Sequence, residues 1–195
     1  MDFLVFDLET MGLEYKDMIV AIGWLFSDSD SDSDGRQVND DDMQVRQVSA
    51  IPTLRTEKWV LEQFLDVLTE AKERNNVLCG YNCDQYDKKM LLARGFKYDL
   101  DFTVLLRMRM IDLYWLVKRF MSPSGKGTLG EVAKFFGIQH DESLQGGDVM
   151  KWFESGEYDK IAEHLKDDVK TTYELLKKLM PLVQYDLKTR YKYWK

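Results

Sequence analysis

The chain has 195 residues, 45% hydrophobic and 31% charged, which is long enough to bury a core and too apolar for a disordered segment. No apolar run approaches the ~20 residues of a membrane-spanning helix, and Met1-Asp2-Phe3-Leu4-Val5 lacks the basic region and cleavage site of a signal peptide. The net charge of −7 argues against a nucleic-acid partner only until its distribution is read, because residues 28–42 hold seven aspartates and one arginine, leaving −1 for the rest. With two cysteines, Cys79 and Cys83, no disulfide framework is expected, and a reducing, cytoplasmic setting follows.

Taken in chain order, Asp2–Glu9 reads as a buried strand, broken by Met11-Gly12-Leu13. Met18–Phe26 and Met43–Ser49 read as two more strands, close enough in sequence for an antiparallel meander. Between them, segment 27–42 alternates Asp and Ser and is expected to be a mobile loop. Asp30, Asp32, Asp34 and Gly35 partly match a calcium loop, but position 12 is Asp41 instead of Glu and the flanks read as strands. Trp59–Ala71 has helical periodicity with Thr56 as N-cap. Val77–Tyr81 is a short strand, Tyr86–Ala93 a helix ended by Gly95, and Arg107–Ile111 a further strand. Leu113–Phe120 and Leu129–Phe136 read as helices, the second stopped by Gly137, and the last strong element runs from about Tyr158 to Leu179. The pattern gives one α/β domain spanning residues 1–195, a sheet covered by helices. Residues 184–195 end it with a basic stretch of net charge +3 interleaved with Tyr191, Tyr193 and Trp194. That tail suits either a solvated helix face or a nucleic-acid backbone.

Three acidic motifs carry the chemistry. In Asp7-Leu8-Glu9, residues two apart on a strand share a face, so two carboxylates project together from its end, as a pair that a divalent cation would relieve or as an ordinary strand end with exposed acids. Asp87 falls in the first turns of the helix after Gly80-Tyr81-Asn82, where it can face the same crevice. Asn82 either caps that helix or contacts a sugar or phosphate, and Asp84 is a rival carboxylate or an N-cap. His164 and Asp168, four apart, share a helical face beside Leu165 and Val169, at the rim of the core as a candidate proton acceptor and carboxylate or as an ordinary surface pair, whereas Asp167 turns toward solvent. His140, in a loop outside any motif, reads as a surface residue.

In this order the motifs resemble those of the DEDD superfamily of 3′–5′ exonucleases, nearest to the proofreading domain of family-B DNA polymerases and its stand-alone relatives. Phe6-Asp7-Leu8-Glu9-Thr10 with Gly12-Leu13 resembles the first family motif, Gly80-Tyr81-Asn82 through Tyr86-Asp87 the second, and Asp168-Val169 with Thr172 the third. Ile111-Asp112-Leu113, Thr128-Leu129 through Ala133, and Gly137-Ile138 resemble the connecting segment. The resemblance implies a ribonuclease-H-like mixed sheet flanked by helices. It also implies two Mg²⁺ or Mn²⁺ ions held by Asp7, Glu9, Asp87 and Asp168, and His164 at the attacking water. Thr10, Met11, Asn82 and Tyr86 would contact the substrate. That substrate would be single-stranded nucleic acid with a free 3′ end, DNA favoured, with a polymerase or repair protein as a possible partner. One departure stands out: His164 occupies the slot of the subgroup's tyrosine, and the other subgroup's histidine slot holds Glu163. A silent binding module and a ribonuclease-H-like endonuclease are the alternatives on the same fold.

Overall fold

The computed structural model describes residues 1–27, 44–47, 56–122, 124–125, 127–141, 143 and 146–191. The acidic segment 28–42, with its calcium-loop reading, and residues 192–195 of the basic tail lie outside the described residues.

Five strands, β1 (Phe3–Thr10), β2 (Ile19–Ser27), β3 (Gln44–Gln47), β4 (Val77–Gly80) and β5 (Met110–Asp112), form one sheet in the order β3-β2-β1-β4-β5. The pairs β1–β2 and β2–β3 are antiparallel, the expected meander, while β4 and β5 join in parallel and make the sheet mixed. Among the described residues there are six α-helices: α1 (Glu57–Glu73), α2 (Asp87–Lys97), α3 (Leu113–Phe120), α4 (Leu129–Phe135), α5 (Val149–Glu154) and α6 (Tyr158–Arg190). No described helix is long and apolar enough to cross a membrane.

Alternation along β1 sorts the core into two layers. Leu4, Phe6 and Leu8 pack with Leu61, Phe64 and Leu68 of α1 and Leu91 of α2. Phe3 and Val5 point the other way and pack with Leu165, Val169 and Tyr173 of α6. Strand parity therefore carries Asp7 and Glu9 toward the α6 side. Gly23 of β2, opposite Asp7 in the ladder, lets α6 come close: a Cβ there would stand 2.8 Å from Leu165 Cγ and 3.2 Å from Val169 Cγ2. On the other layer, buried Glu57 accepts from Ile19 N (2.9 Å), Arg94 Nε (2.7 Å) and Tyr98 OH (2.7 Å), tying α1 to α2 and to the start of β2.

Several expected boundaries move. Ser27 closes β2 and its Oγ accepts from Phe3 N at 3.1 Å, so it belongs to the strand and not to the loop. Helix α2 runs through Gly95 to Lys97; the glycine serves packing, since a Cβ would meet Phe102 Cδ2 at 2.4 Å. The segment before β5 is a 3₁₀ turn over Phe102–Arg107, so the strand begins later than Arg107. Helix α6 continues past Pro181 to Arg190. The proline removes one backbone donor at a cost of ~3 kcal/mol, offset by buried Val183 and Leu187 beyond it. Buried Asp186 also pairs with Arg190 there, at 2.8 Å. The short α5 was not legible, and its Trp152 meets His164 of α6.

Candidate active site

Asp7 and Glu9 stand near the C-terminal end of β1, and the ladder with β2 shifts register between Glu9 and Thr10, its last pair being Thr10 with Ile19. Asp87 is the first residue of α2 and only 3% exposed. Its placement depends on the loop before it, which Asp112 holds. That carboxylate accepts from Asn82 N (2.9 Å) and Asp84 N (3.1 Å) while capping α3 at Tyr114 N (3.0 Å). Asp112 was legible only as part of a resembling segment, because its role lies in contacts across elements. Asn82 adopts φ 63°, five residues before α2 begins, and Asp84 pairs with Lys88. Neither caps α2, whose N-cap position is Tyr86 without a side-chain bond.

Helix α6 brings His164 and Asp168 over the same strand end. His164 Nε2 lies 3.3 Å from Glu9 Oε1 and 3.8 Å from Asp168 Oδ2. The histidine is buried, at 4% exposure, and does not sit at the rim of the core. Its ring meets the edge of Trp152 with centroids 5.9 Å apart. Burial and neighbouring His140 hold the imidazole below its usual pKa, which favours the neutral form.

Two residues read as surface groups belong to this site. His140 Nδ1 lies 2.7 Å from Asp167 Oδ2 and 3.8 Å from Asp168 Oδ1, and Asp141 N donates to the same Asp167 oxygen at 2.9 Å. The loop over residues 138–141 thus covers the face of α6 on which Asp167 was expected to meet solvent. Gly130 at the start of α4 admits the ring, since a Cβ there would lie 2.9 Å from His140 Cδ2. The only sequence signal for His140 was its position just after Gly137-Ile138.

Asp7, Glu9, His140, His164 and Asp168 line one cleft of roughly 790 Å³, together with Glu131. Asp87 lies outside that lining but interacts electrostatically with Asp7. Thr10, Met11, Asn82 and Tyr86 are also outside it. Thr10 Oγ1 and Tyr86 OH stand 2.6 Å apart and reach the Gly12 carbonyl at 2.7 and 2.8 Å. These two hydroxyls join the turn after β1 to the start of α2.

The gathered carboxylates resist ionisation. Burial lifts Asp7 to about 7. Burial with the charge of Asp7 lifts Asp168 to about 8. Glu9 and Asp87 also rise, by burial first and then by repulsion from Asp7. Asp87 Oδ1 and Asp168 Oδ1 are buried without a hydrogen-bond partner. Buried, mutually repelling oxygens with unused lone pairs fit a hard divalent cation, which would relieve both costs at once. Glu9, His164 and Asp168 offer ligand atoms that all lie within 4.8 Å of one another.

The fold and this acidic cleft have relatives. A family model described as RNase_H superfamily matches residues 4–180, and the chain belongs to that superfamily. Two DNA polymerases, from Desulfurococcus sp. (strain Tok) and Thermococcus gorgonarius, are 29% and 28% identical to it over 92% of this chain. The chain spans 25% of their length. Among solved structures, the family B DNA polymerase of Pyrobaculum calidifontis superposes with a TM-score of 0.71 at 23% identity, over 92% of this chain and 24% of that one. E. coli exonuclease I in complex with a dT13 oligonucleotide gives 0.59 at 16% identity, over 94% and 43%. These neighbours agree with the DEDD exonuclease resemblance, and the superfamily generally uses divalent metals.

Proposed function

We propose that this chain is a 3′–5′ exonuclease that hydrolyses single-stranded nucleic acid, DNA favoured, and releases nucleoside 5′-monophosphates. The observation that carries the reading is the convergence of Asp7, Glu9, Asp87 and Asp168 from β1, α2 and α6, with raised pKa values and unpartnered buried oxygens. The likeness to DNA polymerases and to exonuclease I bound to dT13 supports the substrate class and the preference for DNA. A polymerase as working partner belongs to the same proposal.

Asp7, Glu9 and Asp168, with Asp87 behind them, would hold two Mg²⁺ or Mn²⁺ ions. When bound, the cations supply Lewis-acid activation and neutralise charge developing on the phosphate. His164 presents a neutral Nε2 beside Glu9, placed to orient water and hold its proton. The new bond joins water oxygen to phosphorus and the bond to the preceding 3′-oxygen breaks, leaving a shortened strand with a 3′-hydroxyl. Trp152 and Glu9 fix the imidazole, so geometry is set before substrate arrives.

The test is a time course on 5′-labelled single-stranded DNA and RNA with Mg²⁺, Mn²⁺ or EDTA, beside Asp7→Ala. A cation-dependent ladder shortening from the 3′ end, lost in the variant, is expected. Internal cuts would make the chain an endonuclease, and intact strands under every condition a binding module.

A further inference from the structure

The cleft lacks something a strand-cutting enzyme needs. Asp7, Glu9, Glu131 and Asp168 line it, and no lysine or arginine does among the described residues. The cations of the proposed function would offset these carboxylates at the bond being cut, but no cationic side chain beside them holds the phosphates of the rest of the strand, whose electrostatic hold falls to another part of the molecule.

A second depression, also roughly 790 Å³, lies at the opposite end of the sheet, where β1, β4 and β5 begin. Lys72 of α1, Arg107 and Arg109 before β5, and Lys188 of α6 line it, and no carboxylate does among the described residues. The site is built, not a chance meeting of loose side chains. Arg109 Nη2 donates to the Asn75 carbonyl at 3.0 Å and lies 3.2 Å from Asn75 Oδ1. Asn75 holds φ 57° in the turn that presents that carbonyl. The Tyr191 hydroxyl accepts from Met110 N at 3.1 Å and donates to Met110 O at 3.2 Å, stapling the end of α6 to β5. Arg109 keeps further guanidinium donors for a ligand.

We infer that this basic depression binds backbone phosphates of the strand several nucleotides away from the bond being cut. The inference rests on the strand-hydrolase reading above. Asp168 and Lys188 share one helix, and a rise of ~1.5 Å per residue sets them roughly 30 Å apart. At ~3.4 Å per stacked nucleotide, a stacked strand of about nine nucleotides spans both sites, and an unstacked strand does so with fewer. The depression therefore selects for length and leaves the terminal nucleotides to the cleft.

The experiment is fluorescence anisotropy of 5′-labelled dT4 and dT20 over a salt series, using Asp7→Asn to prevent turnover. The same protein is compared with Lys72→Gln/Lys188→Gln added; both lysines are exposed on helix surfaces. Weakening of dT20 by about 5- to 10-fold is expected, with a salt slope lower by ~1.4 for two lost phosphate contacts and dT4 unchanged. Equal weakening of both lengths overturns the inference. No weakening of dT20 also overturns it, and points to an acidic protein segment as the occupant. Absence of dT20 binding with both lysines in place would instead sink the strand-hydrolase reading.

Discussion

His164 is a neutral imidazole held between Glu9 and Trp152, in the slot where the resembling subgroup carries a tyrosine. A tyrosine orients water through a hydroxyl, whereas this ring can also take a proton. His164→Ala is expected to lower kcat by ~10²–10⁴-fold, the usual worth of a positioned acid–base group. The rise in melting temperature on adding Mn²⁺ should survive in that variant, because the carboxylates remain. Its disappearance would make His164 a metal ligand. The acids of this site were legible because each sits on a regular element: strand parity aims Asp7 and Glu9 together, and helical spacing joins His164 to Asp168. His140 was not, since a loop has no period to read. Asp167 was misplaced because a helical wheel assumes an uncovered outer face, and the loop carrying His140 covers it.

Among the elements, the distance between α6 and the sheet decides whether the carboxylates of β1 and α6 meet. Gly23 sets that distance beneath Leu165 and Val169, between which any side chain would intrude. Gly23→Ala is expected to cost ~1–3 kcal/mol in urea unfolding, as overpacking does. Activity should fall further than stability predicts, because Asp168 rides on the displaced helix. A fully folded, fully active variant would show that α6 can shift without moving the ligands. Most elements were legible from their periodicity, down to Thr56 capping α1, whose side chain accepts from Trp59 N at 3.2 Å. Two of the misses share a cause. Gly95 and Pro181 are local breakers, and packing against Phe102 and burial of Val183 and Leu187 outweigh them. Local sequence carries no trace of such distant partners.

The whole molecule bears the strain of its own acidic centre. An unfolded aspartate titrates near ~3.9, whereas Asp7 and Asp168 in the folded chain titrate at about 7 and about 8. Between roughly pH 4 and 8 the folded state binds more protons than the unfolded state, so these groups make stability fall as pH rises. Below that window both states are protonated and the penalty vanishes. On the proposed function a cation would replace the protons, and the stabilisation it brings would follow its affinity. In matched buffers, Mn²⁺ should raise the melting temperature more at pH 8.5 than at pH 6. An equal rise at both values would place the binding site away from these carboxylates. The same centre is also spread across the chain, with its first carboxylates at residues 7 and 9 and its last at 168. Polypeptides are made from the N-terminus onward. A growing chain therefore carries Asp7 and Glu9 long before α6 exists to bring Asp168 over them. On the proposed function, cutting power arrives only when synthesis has passed residue 168 and α6 has packed over β1.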